Sequence, residues 1–144
     1  MRRMTKKRAW VWCSKYIRLR DAVEFHCRHP AFAFGYVACC TCGTIITWNK
    51  NCDAGHFISR GIGGSSGVYF DERNIHAQCK GCNAWRQGNP LAYRKFMLGK
   101  YGEETINELW LRHRCNKNDA RAIAGYELYY KSEYNKLEEE YLKL

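Results

Sequence analysis

Hydrophobic residues near the start of the chain recur at helical spacing. They step by four, three and four positions, which predicts one apolar face of a helix over residues 5–24. The residues of this face are Trp12, Tyr16, Leu19 and Val23. The other positions are rich in lysine and arginine, and no acidic residue precedes Asp21. We therefore expect a basic helix that ends before Pro30, whose outer face is either solvated or in contact with phosphates.

The middle of the chain alternates between short apolar runs and turns. Strands are predicted over residues 32–38, 44–48 and 52–59, with the third returning alongside the second. Four glycines within residues 61–67 predict an irregular loop. A helix is expected to begin near Cys82, so that helices and short strands mix along the chain.

Three helices are predicted in the last third of the chain. Asn89 and Pro90 start the first, residues 103–112 form the second, and Asp119 caps the third. Apolar residues of the third helix step by four and three positions in a heptad-like seam that is too short for a free coiled coil. The seam consists of Tyr126, Tyr130, Tyr134, Leu137, Tyr141 and Leu144. It either docks on the body or pairs with a second copy, and we expect a homodimer.

Composition adds a strong positive charge to this picture. The 144 residues, enough for one domain, include 24 Lys and Arg against 14 Asp and Glu, a net charge of +10. Residues 1–50 carry ten basic and two acidic side chains, whereas residues 119–144 carry four and six. This distribution favours a polyanionic partner for the first two thirds. No apolar run approaches the ~20 residues of a membrane-spanning helix, and no sustained apolar segment follows basic residues 1–8, so we expect neither a membrane protein nor a secreted one.

Nine cysteines supply the candidate chemistry. Cys39 with Cys42 and Cys79 with Cys82 form two C-x-x-C pairs, separated by 36 residues. Such a gap lets both thiolates of a pair bind one ion, and two pairs complete a closed tetrahedral Zn²⁺ site of structural type. Cys40 does not fit this spacing. We expect the other four cysteines outside the pairs to be small buried hydrophobic residues: Cys13, Cys27, Cys52 and Cys115. An odd count without a signal peptide indicates a reducing cytoplasm.

Further motifs lie between and around the cysteine pairs. In order they are Cys39-x-x-Cys42-Gly43-Thr44, Asp53-Ala54-Gly55-His56, Phe70-Asp71-Glu72-Arg73-Asn74-Ile75-His76, Gln78-Cys79-x-x-Cys82-Asn83, and Gly88-Asn89 followed by Tyr93-Arg94. This order resembles the HNH, or His-Me finger, nucleases, and more narrowly the phage NinG (Rap) recombination endonucleases. The resemblance is firm over residues 39–105.

The resemblance implies an α+β fold. Its core would be a small zinc-clamped ββα-metal unit, treble-clef-like, with flanking helices. The chain would then divide into a basic N-terminal helix (1–30), the zinc-bound HNH-like nuclease core (31–100), and C-terminal helices that offer a dimer contact (101–144).

The residue types suit phosphodiester hydrolysis. Histidine is a natural general base near pH 7, and a hard cation such as Mg²⁺ or Mn²⁺ stabilises developing charge through oxygen ligands. The resemblance implies that His56 is the base and that Asn74 orients it. Asp53 and Asn83 are the candidate ligands of Mg²⁺ or Mn²⁺, although Asn83 equally suits a helix cap. Asp53 precedes His56 by three positions, so a strand places them on opposite faces unless a bulge intervenes.

The implied function is structure-specific cleavage of DNA. By resemblance, the protein would hydrolyse phosphodiesters in branched recombination intermediates, such as Holliday junctions or D-loops, in the cytoplasm of a bacterial host. A junction is two-fold symmetric, so a homodimer would present two active sites to opposing strands. The basic residues expected to contact DNA are Arg60, Arg73, Arg86, Lys15 and Arg18.

Two alternatives explain part of the pattern. A non-catalytic zinc-finger DNA-binding module accounts for the charge and the cysteine pairs, but gives no reason for Asp53, His56 and Asn74 to lie between them. An HNH nuclease with another nucleic-acid substrate, such as RNA, differs only in its target, because phosphate contacts carry no sequence information.

Overall fold

The computed structural model describes residues 2–59 and 66–143. Arg60 and most of the predicted glycine-rich loop lie outside these residues. The described chain is a mixed α+β structure, as predicted. Its elements are α1 (Arg2–Arg28), β1 (Tyr36–Ala38), β2 (Ile45–Thr47), β3 (Cys52–His56), a 3-10 turn (Glu72–Asn74), β4 (Ile75–Cys79), a π-helical turn (Gly81–Trp85), α2 (Pro90–Lys100), α3 (Glu103–Cys115) and α4 (Ala120–Tyr141).

The strands form two small antiparallel sheets, β1 with β2 and β3 with β4. The prediction that residues 52–59 return alongside residues 44–48 is therefore wrong. β3 instead pairs with a strand that follows a long loop, in an unbroken register from Cys52 opposite Cys79 to His56 opposite Ile75. Four of the five residues of β4 are buried, so this strand lies at the centre of the fold.

α1 packs against the β3–β4 sheet, and α4 packs on α1. Tyr16 of α1 lies 5.5 Å from Tyr130 of α4 between ring centroids, and the hydroxyl of Tyr130 donates a hydrogen bond to the carbonyl of Phe70. Ile75 of β4 belongs to the same buried cluster. The three predicted segments of the chain therefore share one apolar core. A second cluster lies under α2 and α3: Ile58, Val68, Tyr93, Met97, Ile106 and Leu109.

The heptad-like seam of α4 faces α1 and the body of the same chain. Tyr130 and Tyr134 are buried, and Tyr126 and Leu137 pack against the core cluster. The ring of Tyr141 stacks on Phe34 with centroids 5.6 Å apart. The described part of the seam thus docks on the body of its own chain, which is the first of the two alternatives, and Leu144 lies outside the described residues. Homodimerisation itself stays a prediction, without a surface assigned to it.

Arg20 lies inside the protein, although its segment was expected to expose a basic face. Its guanidinium donates to Asp21 at 2.9 Å and to the carbonyl oxygens of Glu72 and Ile75 at 2.9 and 2.8 Å. Asp21 in turn accepts the backbone N–H of Ala77 at 2.7 Å. Burial opposes the charge on Arg20, but the Asp21 carboxylate raises the pKa of this guanidinium above its ordinary value. The pair fixes α1 to the outer edge of β4.

Two local predictions about helices have different outcomes. Asp119 caps α4 as expected, because its carboxylate accepts the N–H of Ala122 at 2.8 Å. The helix expected near Cys82 is only a five-residue π-helical turn. Gln87, Gly88 and Asn89 have φ angles of 53°, 87° and 50°, and this left-handed backbone prevents the turn from continuing as a helix. No helix in the described part of the chain has the length and apolar character needed to cross a membrane.

Replacing Arg20 by methionine should lower the free energy of unfolding by about 3–5 kcal/mol, because it leaves a buried carboxylate and two carbonyl oxygens without their donor. Urea denaturation at pH 7 measures this loss. Arg8→Met is the matched control: Arg8 pairs with Glu127 but its side chain is 60% exposed, and its loss should cost under about 1 kcal/mol. Equal costs for the two variants would contradict the structural role of Arg20.

Candidate functional site

The four cysteines of the two C-x-x-C pairs converge on one point. The sulfur atoms of Cys39, Cys42, Cys79 and Cys82 all lie within 4.8 Å of one another, and those of Cys42 and Cys79 are 3.7 Å apart. Four thiolates bound tetrahedrally to zinc at ~2.3 Å have sulfur atoms ~3.8 Å apart. The cluster therefore fits a closed, structural zinc site.

The backbone around the cysteines is shaped for metal binding. Gly43 has a φ of 79° and donates its N–H to the carbonyl of Cys39 at 2.9 Å, which turns the first pair back on itself. In the second pair the N–H of Cys82 points at the sulfur of Cys79 at 3.4 Å. Asn89 was predicted to cap α2, but makes no cap bond there, and its amide lies 3.6 Å from the sulfur of Cys82.

The protein environment prepares Cys39 to ionise. Burial opposes a charge on this thiol, but backbone N–H groups of Cys42 and Cys79 stabilise the thiolate, and the pKa of Cys39 falls to about 6. Burial and the charge on Cys39 raise the pKa of Cys79, since neighbouring thiolates repel one another without a cation between them. Cys40 packs against the second apolar cluster, and burial raises the pKa of its thiol far above the ordinary value. Cys40 is therefore a packing residue.

His56, the predicted general base, lies at the end of β3. Its Nε2 atom is 2.8 Å from the carbonyl oxygen of Tyr69. A carbonyl only accepts, so in the neutral ring Nε2 carries the proton and Nδ1 carries the lone pair. The indole of Trp10 stacks on the imidazole with centroids 4.8 Å apart, and the Tyr69 ring lies 4.9 Å away. Sequence reasoning missed these two neighbours, because contacts between α1, β3 and a distant loop leave no local pattern.

Asn74 is completely buried, and its side chain forms hydrogen bonds with the backbone of Ile58 and Val68. Its Oδ1 accepts the N–H of Ile58 at 2.8 Å, and its Nδ2 donates to the carbonyls of Ile58 and Val68 at 3.2 and 3.1 Å. These bonds join the segment that follows β3 to the loop that carries Tyr69. Asn74 thus holds the backbone carbonyl of Val68, the residue before the one whose carbonyl His56 contacts.

Asp53 and Asn83, the predicted ligands of a hard cation, are in contact. One carboxylate oxygen of Asp53 accepts from the amide of Asn83 at 3.1 Å, and the other accepts from Lys80 at 2.9 Å. The β3–β4 register contains no bulge, so the strand pleat places Asp53 and His56 on opposite faces. Lys80 was not predicted here, although it lies within the second cysteine pair.

Two clefts meet at Asn83. One, the Asp53 cleft, has a volume of about 440 Å³, and Arg18, Asp53 and Lys80 help to line it. The other, the His56 cleft, has a volume of about 420 Å³, and its wall includes His56 and Gly88. The structure thus places His56, the candidate base, and Asp53, the candidate carboxylate ligand, in two clefts that share Asn83.

The side chain of Gln78 requires a glycine at position 55, just before His56 in β3. A Cβ atom on Gly55 would lie 2.0 Å from Oε1 of Gln78. The amide of Gln78 donates to the carbonyl of Gly88 at 2.8 Å and to the hydroxyl of Thr41 at 3.2 Å, so Gln78 connects the first cysteine pair to the segment after the second. Gln78 stands in a predicted motif but was assigned no role.

The predicted DNA-contacting residues are dispersed. Arg18 lines the Asp53 cleft, and Arg86 is exposed beside the π-helical turn. Lys15 lies over the rings of Trp12 and Tyr134, at 5.1 and 5.9 Å from their centroids.

Arg73 instead forms ion pairs with acidic residues of the same chain. It pairs with Asp71 at 3.0 Å and with Glu108 at 3.2 Å, and Arg112 also pairs with Asp71. These ion pairs connect the turn before β4 to α3. A role of Arg73 in binding phosphate stays a prediction. Arg60 lies outside the described residues.

A family model described as the Bacteriophage Lambda NinG protein matches residues 2–140 of the chain. The chain belongs to the NinG family. The narrower resemblance drawn from the motifs is thereby confirmed at the level of the family. No solved structure matches the chain.

Curated NinG relatives align over 88 residues, 59% of this chain. Protein ninG of Escherichia phage 933W is 38% identical, and the aligned segment covers 42% of its length. The proteins of the same name from Escherichia phage lambda and Salmonella phage P22 are each 35% identical, with 41% of their lengths covered. The aligned part of this chain therefore spans about two fifths of the length of these NinG relatives.

The cysteine cluster predicts one bound Zn²⁺ per chain. Cys82→Ser should abolish zinc binding, because it removes one of four converging ligands, and it should lower the Tm of the protein. Cys40→Ala should retain the metal. Metal analysis of the purified variants, together with thermal unfolding before and after chelation, checks both expectations. Loss of zinc from the Cys40 variant equal to that from the Cys82 variant would refute this ligand set.

Proposed function

We propose that this chain is a metal-dependent DNA endonuclease of the HNH type. The observation that carries the proposal is the hydrogen bond from Nε2 of His56 to the carbonyl of Tyr69, which leaves Nδ1 as the basic atom of the neutral ring. In the adjoining cleft, Asp53 accepts a hydrogen bond from Asn83. A structural zinc site next to these groups supports the same proposal. In this proposal, β3, β4 and the π-helical turn correspond to the ββα core of His-Me finger nucleases.

In the proposed reaction, His56 acts as general base. Its Nδ1 lone pair accepts a proton from a water molecule as the water oxygen attacks phosphorus. The bond between phosphorus and the 3′ oxygen breaks, and the leaving oxygen takes up a proton from solvent. Because Nε2 donates to the Tyr69 carbonyl, the ring is held in one tautomer, and the positive charge formed on the imidazole stays next to an acceptor.

Asp53 and Asn83 fit a hard divalent cation by their chemistry, since they offer a carboxylate and an amide oxygen beside a polar cleft. Such a cation, Mg²⁺ or Mn²⁺, would supply charge stabilisation to the phosphate and the leaving oxygen. Lys80 donates to Asp53 and neutralises part of its charge. The thiolate cluster would have a different role, because four sulfur ligands leave no position for substrate.

Branched recombination DNA is the proposed substrate. The net charge of +10 and the exposed Arg86 beside the His56 cleft support a polyanionic partner. The motifs that resemble recombination endonucleases support the branched form. A homodimer that acts on both sides of a junction is part of this proposal, as is action in the host cytoplasm.

Replacing His56 by alanine should reduce cleavage of a four-way junction in Mg²⁺ or Mn²⁺ by at least about a hundredfold, because the attacking water loses its base. Junction binding and the Tm should change little, since His56 is only half-buried. Gel-based nicking assays with labelled strands measure the rate.

The control for this variant is Lys136→Ala, which removes a 70% exposed lysine from α4 and should cleave like the wild type. Full cleavage by His56→Ala would overturn the mechanism. Absence of cleavage by the wild type with every divalent cation, together with tight DNA binding, would favour the zinc-finger binding module instead.

Lys80→Met should tighten Mn²⁺ binding at Asp53 by about two- to fivefold, because the cation no longer competes with an exposed ammonium group for the carboxylate. Calorimetric titration of the zinc-loaded protein measures this affinity without reference to cleavage. Lys95→Met, which removes an exposed charge of α2, is the control and should bind Mn²⁺ as the wild type does. Asp53→Asn should lose the site, and unchanged binding by that variant would show that Asp53 is not a ligand.

A further inference from the structure

Trp85 is exposed to an extent that is unusual for its size. Its side chain is 86% accessible, whereas Trp10, Trp12 and Trp48 pack against the core. Leu91 nearby in the chain is equally exposed, at 86%. An indole left in water contributes little to folding, because hydrophobic stabilisation scales with the apolar area that is buried.

The backbone holds Trp85 in a defined place. It is the last residue of the π-helical turn that also carries Cys82 and Asn83. The N–H of Arg86 donates to the carbonyl of Gly81 at 3.0 Å, and the N–H of Gly88 donates to that of Cys82 at 2.9 Å. An aromatic ring on an anchored turn loses little conformational freedom when it binds a ligand.

Trp85 lies on the turn that forms part of the wall of the His56 cleft, although its own side chain is not in the lining. The residues on either side of it in the chain line that cleft, namely Asn83 and Ala84 before it, and Gln87 and Gly88 after it. One short turn therefore carries both the exposed indole and residues of the cleft that contains His56.

The chain segment that contains Trp85 is basic. Residues 79–102 contain five basic side chains and no acidic one, and three of the five form ion pairs with acids outside the segment: Lys80, Arg94 and Lys100. Arg86 and Lys95 of this segment are exposed. Positive charge next to an exposed aromatic ring is the arrangement by which proteins bind single-stranded nucleic acid, with cations on the phosphates and rings on the bases.

We propose that Trp85 is a stacking platform for an unpaired or unstacked nucleobase, next to the phosphodiester that enters the His56 cleft. The proposal rests on the proposed function in taking nucleic acid as the ligand and the His56 cleft as the place that its phosphodiester enters. In an intact duplex every internal base is stacked on both faces and has no face to offer. At a branch point, a gap or a single-stranded end, a base is free to stack, so Trp85 would select such structures.

Binding measurements in a His56→Ala background test the proposal without interference from cleavage. The probes are a four-way junction, a single strand and a duplex of the same length, each followed by fluorescence anisotropy with zinc-loaded protein. Trp85→Ala should raise the Kd for the junction and the single strand by about tenfold and leave the duplex Kd within about twofold. Trp85→Phe should recover part of the loss, because phenylalanine keeps a smaller stacking face.

Leu128→Ala is the matched control. Leu128 is an apolar residue of α4 with 71% exposure, so this variant tests whether loss of any exposed hydrophobe weakens binding. It should bind all three probes as the parent does. Circular dichroism and zinc content of each variant exclude a folding defect as the cause.

Three results would overturn the inference: an unchanged junction Kd in Trp85→Ala, an equal loss for duplex and junction, or a dimer in the parent that becomes a monomer in Trp85→Ala. The last would assign the indole to contact with a second copy. A different result would overturn the nuclease proposal, namely absence of cleavage by the unmodified protein. That result would not affect the comparison of binding constants.

Discussion

The register of β3 against β4 is the constraint on which the candidate site depends. Five residue pairs, from Cys52 opposite Cys79 to His56 opposite Ile75, fix the two ends of the site at once. At one end Cys79 starts the second cysteine pair, and at the other Asn74 immediately precedes Ile75. A shift of one residue would turn every side chain of β4 to the other face. It would also separate Asn74 from the segment that follows His56.

Side chains from α1 protect the outer edge of this two-stranded sheet. Asp21 accepts the N–H of Ala77, Arg20 donates to the carbonyl of Ile75, and the N–H of Cys40 donates to the carbonyl of Ala77. Buried backbone groups require such partners, and a pair of strands alone is at best marginally stable. The pair of opposite charges on α1, together with the N–H of Cys40, thus takes the place of a third strand, and it explains why the first basic segment includes an arginine whose side chain is only 15% exposed.

Much of the site could be predicted because its signals are local. The spacing of Cys39 and Cys42, repeated at Cys79 and Cys82, predicted the cluster that the structure shows. The long-range features left no such signal. The pairing of β3 with β4 spans a loop of many residues. The apolar spacing along α4 is the same whether the helix packs on α1 or on another copy of the chain. The role of Arg20 depends on acceptors more than fifty positions away in the chain.

The π-helical turn carries residues of the candidate zinc site, the proposed cation site and the proposed stacking platform. Within five residues it carries a candidate zinc ligand, Cys82, the amide of Asn83 beside Asp53, and the exposed indole of Trp85. A turn of this length has almost no stability of its own, because helix nucleation is costly. Its position must come from the ligands of the cluster and from the bonds made by Gln78 and Asn89. Metal binding at the cysteines would therefore be coupled to the geometry of the proposed cation site and of the proposed stacking platform at Trp85.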